Sequence, residues 1–235
     1  MTYNTEAIIL KKRTWRENDL EIIFLSKELG KMRAVAVGAK KMLSKLSGHL
    51  EPFKEVKLMV AEGKGCDKIG QAITLNNFCF QGGESNFNQL LRAQEASNLL
   101  EKILAEKQKE ENFFQLTKNF FFLNFKNKES NFLPLFKWQA AALAGFKPRL
   151  HNCIFCQTKI KGKYEFNLTE AGAVCSKCFI KNNQEFVDVS LRTGQILKYL
   201  VEKAGLKEAW VKITKETAEE LNNLFEKFYL YQIIH

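Results

Sequence analysis

In the stretch Glu55-Val56-Lys57-Leu58-Met59-Val60, the residues Val56, Leu58 and Val60 alternate with Glu55, Lys57 and Met59. Successive side chains on a strand point to opposite faces, so this period of two predicts a half-buried β-strand. Gly63-Lys64-Gly65 follows as a hairpin signal, and a return strand is expected from about Asp67 to Leu75. Upstream, Glu6-Ala7-Ile8-Ile9-Leu10 and Leu20-Glu21-Ile22-Ile23-Phe24-Leu25 are short apolar runs. After the turn signal Glu28-Leu29-Gly30-Lys31, a third run extends from Met32 to Val37. Five short strands within the first eighty residues predict a small barrel, and the five-stranded oligonucleotide-binding (OB) fold is the natural candidate.

The connection from Gly38 to Lys54 interrupts this pattern. It is basic, punctuated by Gly and Ser, and lacks regular periodicity. A loop of that kind on a barrel rim can follow a phosphate backbone. Lys11, Lys12, Arg13 and Arg16 form a second basic cluster, with Trp15 among them. Trp15 is either a packing residue or a platform on which a base stacks. Glu17 and Asp19 could be a metal pair, but orienting Arg16 is the simpler role. The candidate phosphate contacts are Lys11, Arg13, Arg16, Lys31, Arg33, Lys40, Lys41 and Lys45.

Charge supports a polyanionic partner. The 235 residues carry 36 Lys and Arg against 26 Asp and Glu, a net charge of +10, with a pI of about 9.2. A lysine-rich composition alone could produce this. However, residues 31–50 and 130–164 hold long acid-free runs of basic side chains, which points to basic surface patches. Mean hydropathy is −0.26. The start, Met1-Thr2-Tyr3-Asn4-Thr5-Glu6, has neither a basic n-region nor a long apolar run, and no run of eighteen apolar residues occurs, so neither a signal peptide nor a membrane span is expected. The expected location is cytoplasmic and nucleoid-associated.

Beyond Gly82-Gly83 the pattern becomes helical. Asn86 is a plausible N-cap, with Gln89 three residues later. Phe87, Leu90, Leu91, Leu99, Leu100, Ile103 and Leu104 form one apolar face. Phe113, Phe114, Leu116, Phe120, Phe121, Phe122, Leu123 and Phe125 belong to a second helix that is apolar on more than one face, hence central to a core. Phe132 to Ala144 makes a third, ended by Gly145. Leu191 to Lys203 and Thr217 to Tyr231 are amphipathic.

Between them stand Cys153-Ile154-Phe155-Cys156 and Cys175-Ser176-Lys177-Cys178, eighteen residues apart. Two Cys-x-x-Cys pairs at this spacing match a four-thiolate zinc site. Cys153, Cys156, Cys175 and Cys178 would close a tetrahedral shell with no open position, so a structural Zn2+ is expected. Two disulfides, a redox motif or unrelated core thiols are the competing explanations; nothing suggests secretion, and the βαβ context of a redox motif is missing. His151 is expected on the rim. Cys66 and Cys79 are expected as small buried hydrophobes. Lys161-Gly162-Lys163 signals a turn, Tyr164-Glu165-Phe166 a strand, and Ala171 to Val174 leads into the second pair, so the segment fits a zinc hairpin.

Glu6 to Leu10, Trp15-Arg16-Glu17-Asn18-Asp19, Gly30-Lys31, Gly38-Ala39-Lys40-Lys41, Ser44-Lys45-Leu46 and Leu50-Glu51-Pro52-Phe53 occur in an order that resembles the bacterial recombination mediator family RecO. The resemblance covers essentially the whole chain and is strongest at 6–53 and 148–178. The departures are Cys66-Asp67-Lys68-Ile69 where the family more often has a Gly-Leu-containing strand, Trp15 for a common Tyr, and Gln157 where Cys-x-x-Cys-Gly is common. Some members lack the cysteines, which fits a structural metal.

The fold class expected is thus α+β multidomain: an N-terminal five-stranded OB-fold barrel (1–80), an all-α domain (81–150 and 180–235), and an inserted four-cysteine zinc hairpin (151–179). The resemblance implies a non-catalytic mediator of DNA repair. It implies binding to single- and double-stranded DNA and annealing of complementary strands. It also implies action with RecR to load RecA onto strands coated by single-stranded DNA-binding protein (SSB), whose acidic tail docks on the helical domain. An RNA-binding or ribosome-associated factor fits the charge and fold equally well, and an OB-barrel nuclease is a third possibility. The sequence holds no P-loop, no Gly-x-Ser-x-Gly elbow and no His-x-Glu that stands with a Pro-Cys-x-x-Cys, as a zinc deaminase would need.

Overall fold

The computed structural model describes residues 1–80, 87–109, 111–127, 131–179, 185–206 and 209–234. The chain forms two compact units, Met1–Ser130 and Asn131–His235.

In the first unit, five strands close into a barrel: β1 (Thr2–Thr14), β2 (Leu20–Ser26), β3 (Gly30–Ala36), β4 (Lys54–Ala61) and β5 (Asp67–Asn77), in the order β1-β2-β3-β5-β4. Closure depends on β1, which is longer than its apolar run. Thr2 to Ile8 pair with β4, Ala7 to Thr14 pair with β2, and the register shifts between Ile9 and Lys11. A shift of this kind bends a strand, so β1 can serve two neighbours. A short parallel contact, Ala34 with Asp67 and Val35 with Lys68, completes the ring.

The inner face has the expected period of two. Ala7, Ile9, Ile22, Phe24, Met32, Ala34, Val56, Leu58 and Val60 fill the interior. Ile8, Leu10, Ile23 and Leu25 on the opposite face are also fully buried. Helix α1 (Phe87–Ile103) packs against β1, and α2 (Glu111–Lys126) follows. Phe113, Phe114, Phe120, Phe121 and Phe125 of α2 are buried, and the Phe121 ring meets Phe53 at 5.3 Å and Phe78 at 5.8 Å between centroids. The expectation of a core-forming phenylalanine helix therefore holds. Asn86, the expected N-cap, lies outside the described residues. Gln89 is buried, and its amide donates to the Asn124 and Phe125 carbonyls at 3.0 Å each, satisfying two of the free carbonyls at the end of α2.

In the second unit, α3 (Phe132–Leu143), α4 (Leu191–Glu202) and α5 (Lys215–Tyr229) pack together. Trp138 is fully buried; its Nε1 donates to the Leu221 carbonyl at 3.0 Å, and its ring meets Phe225 and Phe228. Gly145, at φ 95°, follows α3 as expected of a helix-ending glycine. Ser190 and Thr214 cap α4 and α5, each accepting an N–H three residues ahead. A small sheet with the order β7-β6-β8 lies in the same unit: β6 (Tyr164–Asn167), β7 (Gly172–Val174) and β8 (Phe186–Val189). The hairpin strands were expected, whereas β8 is an addition to the all-α picture. Lys137, part of the acid-free 130–164 window, is not on the surface: it is buried and meets Glu226 at 2.6 Å.

Candidate nucleic-acid interface and metal centre

The eight candidate phosphate contacts all lie in the first unit, and the fold sorts them into two groups. The first group surrounds one carboxylate. Glu101, on α1, meets Lys11 Nζ at 2.5 Å and Arg13 at 2.6 Å, and Arg33 stands 3.9 Å away. Arg33 also meets Glu106 at 2.5 Å. Lys31 is buried and donates Nζ to the Glu101 carbonyl at 2.5 Å. Burial depresses its pKa, because a desolvated ammonium is costly. For Glu101 burial works the other way, but Lys11 and Arg13 outweigh it and hold the carboxyl below its usual range. Lys11, Arg13, Lys31 and Arg33 therefore fasten α1 to the barrel. No local pattern signals this clamp, since Glu101 stands far downstream of its partners.

The second group is free. Arg16, Lys40, Lys41 and Lys45 reach solvent, and among the described residues none of their side chains has an ion-pair partner. Arg16 lies in the β1–β2 turn and the lysines in the β3–β4 connection, and backbone hydrogen bonds clasp these two loops together. Lys40 N–H donates to the Asn18 carbonyl at 3.0 Å, and Gly38 N–H donates to Asp19 Oδ1 at 2.8 Å. Asp19 is thus a loop clasp. Gly38, at φ 65°, takes the left-handed conformation that favours glycine at this corner. Ala39 and Leu50 are rooted in the barrel core, with Leu46 packed against it, so the projecting loop has fixed ends. Trp15, in the clasped turn, is 48% exposed, which leaves its ring open to a stacking partner. Two exposed residues escaped sequence reasoning: Met42 and Leu43 at the tip of the same loop.

In the second unit, the sulfurs of Cys153, Cys156, Cys175 and Cys178 lie within 4.8 Å of one another and could hold a metal ion. Two turns present them. Gln157 N–H donates to the Cys153 carbonyl at 3.0 Å, and Cys178 N–H to that of Cys175 at 3.0 Å. Ile154 N–H donates to the Ala173 carbonyl, tying the first turn to β7. At Gly172 a Cβ would come within 2.3 Å of the Ile154 side chain, so this close approach requires glycine. Burial opposes ionisation of Cys153, but amides of Cys156, Cys175 and Phe155 outweigh it and lower its pKa. The side chain and backbone of Thr158 lead the interactions that bring Cys156 down to about 6. Thiolates are the metal-binding form, which the surroundings of these two favour, whereas the hydrogen bond to Cys156 pushes Cys178 up to about 12, so a cation has to displace its proton. His151 is on the rim, 2.8 Å from Glu202. Contrary to expectation, Cys66 is exposed and Cys79 only half-buried. No described helix is long and apolar enough to cross a membrane.

A five-stranded OB-type barrel with clasped basic loops, joined in one chain to a helical unit with a clustered cysteine quartet, defines the class of protein. The chain belongs to the RecO family: residues 1–78 match the family model Recombination protein O N terminal, and residues 84–235 match Recombination protein O C terminal. A protein of Desulforamulus reducens named DNA repair protein RecO is 28% identical over 232 residues, covering 98% of this chain and 90% of the relative. One of the same name from Pelotomaculum thermopropionicum is 25% identical over 233 residues, covering 98% and 89%. Another, from Caldanaerobacter subterraneus, is 29% identical over 199 residues, covering 84% and 78%.

Proposed function

We propose that this chain is a non-catalytic, DNA-binding recombination mediator in DNA repair. It binds single- and double-stranded DNA and anneals complementary strands. With a RecR-type partner it promotes RecA loading on strands coated by SSB, whose acidic tail docks on the helical part of the chain. The family and the relatives' printed names support this reading, and one observation carries it: Arg16, Lys40, Lys41 and Lys45 project from two clasped barrel loops without a counter-ion among the described residues. Uncompensated cations on a rigid rim are suited to phosphate, because binding releases condensed counterions from the nucleic acid. Lys11, Arg13, Lys31 and Arg33 support the same unit by fixing α1 to the barrel.

The four cysteines are the proposed ligands of a structural Zn2+, which when bound supplies a cross-link between the two turns and no chemistry. We keep 1–80, 81–150 with 180–235, and 151–179 as functional divisions; the compact units divide at 130. A cytoplasmic, nucleoid-associated location follows from this role. The test is annealing of complementary strands precoated with SSB, with and without a RecR-type partner. Acceleration by this chain is expected; none in either arm would overturn the mediator role. Competition between single-stranded DNA and RNA of matched length separates it from an RNA-binding factor.

A further inference from the structure

Met42 and Leu43 are 99% and 92% exposed, side by side at the tip of the β3–β4 loop. Single exposed apolar residues are ordinary, but an adjacent pair held out on a braced loop is not. The loop is held at both ends. Ala39 and Leu50 are buried in the barrel core, and Lys40 N–H is fixed to Asn18. A turn closes beneath the tip, where Ser44 N–H donates to the Lys41 carbonyl at 2.9 Å. Lys40, Lys41 and Lys45 flank it, and residues 31–50 hold no acidic side chain.

We infer that Met42 and Leu43 form a wedge that enters the base stack of a polynucleotide at a junction between single and double strands, while the flanking lysines hold its phosphates. This rests on the DNA-binding role proposed above and extends it. Charge selects the occupant: an apolar tip flanked by cations fits a polyanion whose interior is apolar, and stacked bases beneath a phosphate backbone are such a surface. Apolar side chains of this size unstack base steps when inserted, and each opened step is repaid by new contact. The clasp to the β1–β2 turn keeps the wedge from folding back when it meets resistance. A mediator of annealing benefits from such a device, since it opens weakly formed pairs and lets strands re-register.

The test uses the full chain and a DNA junction carrying 2-aminopurine at the terminal pair. The wild-type protein raises the fluorescence as the base unstacks. Met42→Ser with Leu43→Ser removes that rise and lowers junction affinity about tenfold, the scale of one base contact. The salt slope is unchanged, since phosphate contacts set it. The swap Met42→Leu with Leu43→Met retains the rise. A rise that persists in the serine variant overturns the wedge alone. So does a serine variant that keeps the rise but loses binding to phosphatidylglycerol vesicles, which would assign the tip to a membrane. No DNA binding by the wild-type chain overturns the DNA-binding role itself, and the wedge with it.

Discussion

Gln157 follows the first cysteine pair at φ 58°, in the left-handed region. Any side chain there is strained, by about 1–2 kcal/mol, whereas glycine is free to adopt it at a smaller entropic cost of about 0.5–1 kcal/mol. Gln157→Gly is therefore expected to stabilise the metal-loaded protein by up to about 1 kcal/mol in denaturant titration. A loss would mean that the hydrogen bond donated by the Gln157 side-chain amide to the Ile154 carbonyl matters more than backbone strain. Glu165 gives a pH-dependent prediction. Burial first, then a hydrogen bond and repulsion with Asp188 across the β6–β8 ladder, push its pKa up to about 7. A carboxyl with a raised folded pKa binds its proton more tightly in the native state. It destabilises progressively as pH rises from the unfolded pKa, near 4.5, to about 7, and by a constant amount above. Glu165→Gln should raise the melting temperature at pH 8 and much less at pH 5. An equal shift at both values would contradict the assignment. Neither property can be read from residue identity, since both depend on backbone angles and cross-strand neighbours.

The strands and helices were largely legible. Alternation predicts β4 because Val56, Leu58 and Val60 are fully buried, whereas on the other face Lys57 is exposed, Met59 half-buried and Glu55 buried only as the partner of Lys118. The phenylalanines predict α2 as a core helix because few other arrangements hide so many large rings. β8 was not legible: four residues, Phe186–Val189, are defined by pairing with β6 rather than by a local pattern. The clamp on α1 was equally hidden, because Arg13 and Lys31 find Glu101 88 and 70 positions downstream. It predicts a coupled outcome. Glu101→Gln should cost about 2 kcal/mol at neutral pH, the loss of charged hydrogen bonds. Glu101 has a depressed folded pKa, so its contribution is present above the ordinary carboxylate pKa and lost as pH falls through the folded value. The difference between variant and wild type should shrink in acid; a penalty independent of pH would sink the clamp.

The chain combines a barrel unit held by strand pairing with a helical unit that carries the thiolate cluster. If zinc is structural, chelation should lower the unfolding midpoint of the second unit, because metal binding is coupled to folding. Trp138 and Trp210 lie there and Trp15 in the barrel unit, so a Trp15→Phe variant isolates the signal. An unchanged midpoint would rule out a stabilising metal. The net charge of +10 was legible from composition, but not which cations are spent on ion pairs and which are free. That division singles out Lys40 and Lys41. The salt dependence of single-stranded DNA binding, compared between the wild-type protein and Lys40→Glu with Lys41→Glu, tests it most directly. Two lost phosphate contacts should weaken binding and lower the log–log salt slope by about 1.4. Unchanged affinity and slope would contradict the proposal that these loops hold DNA.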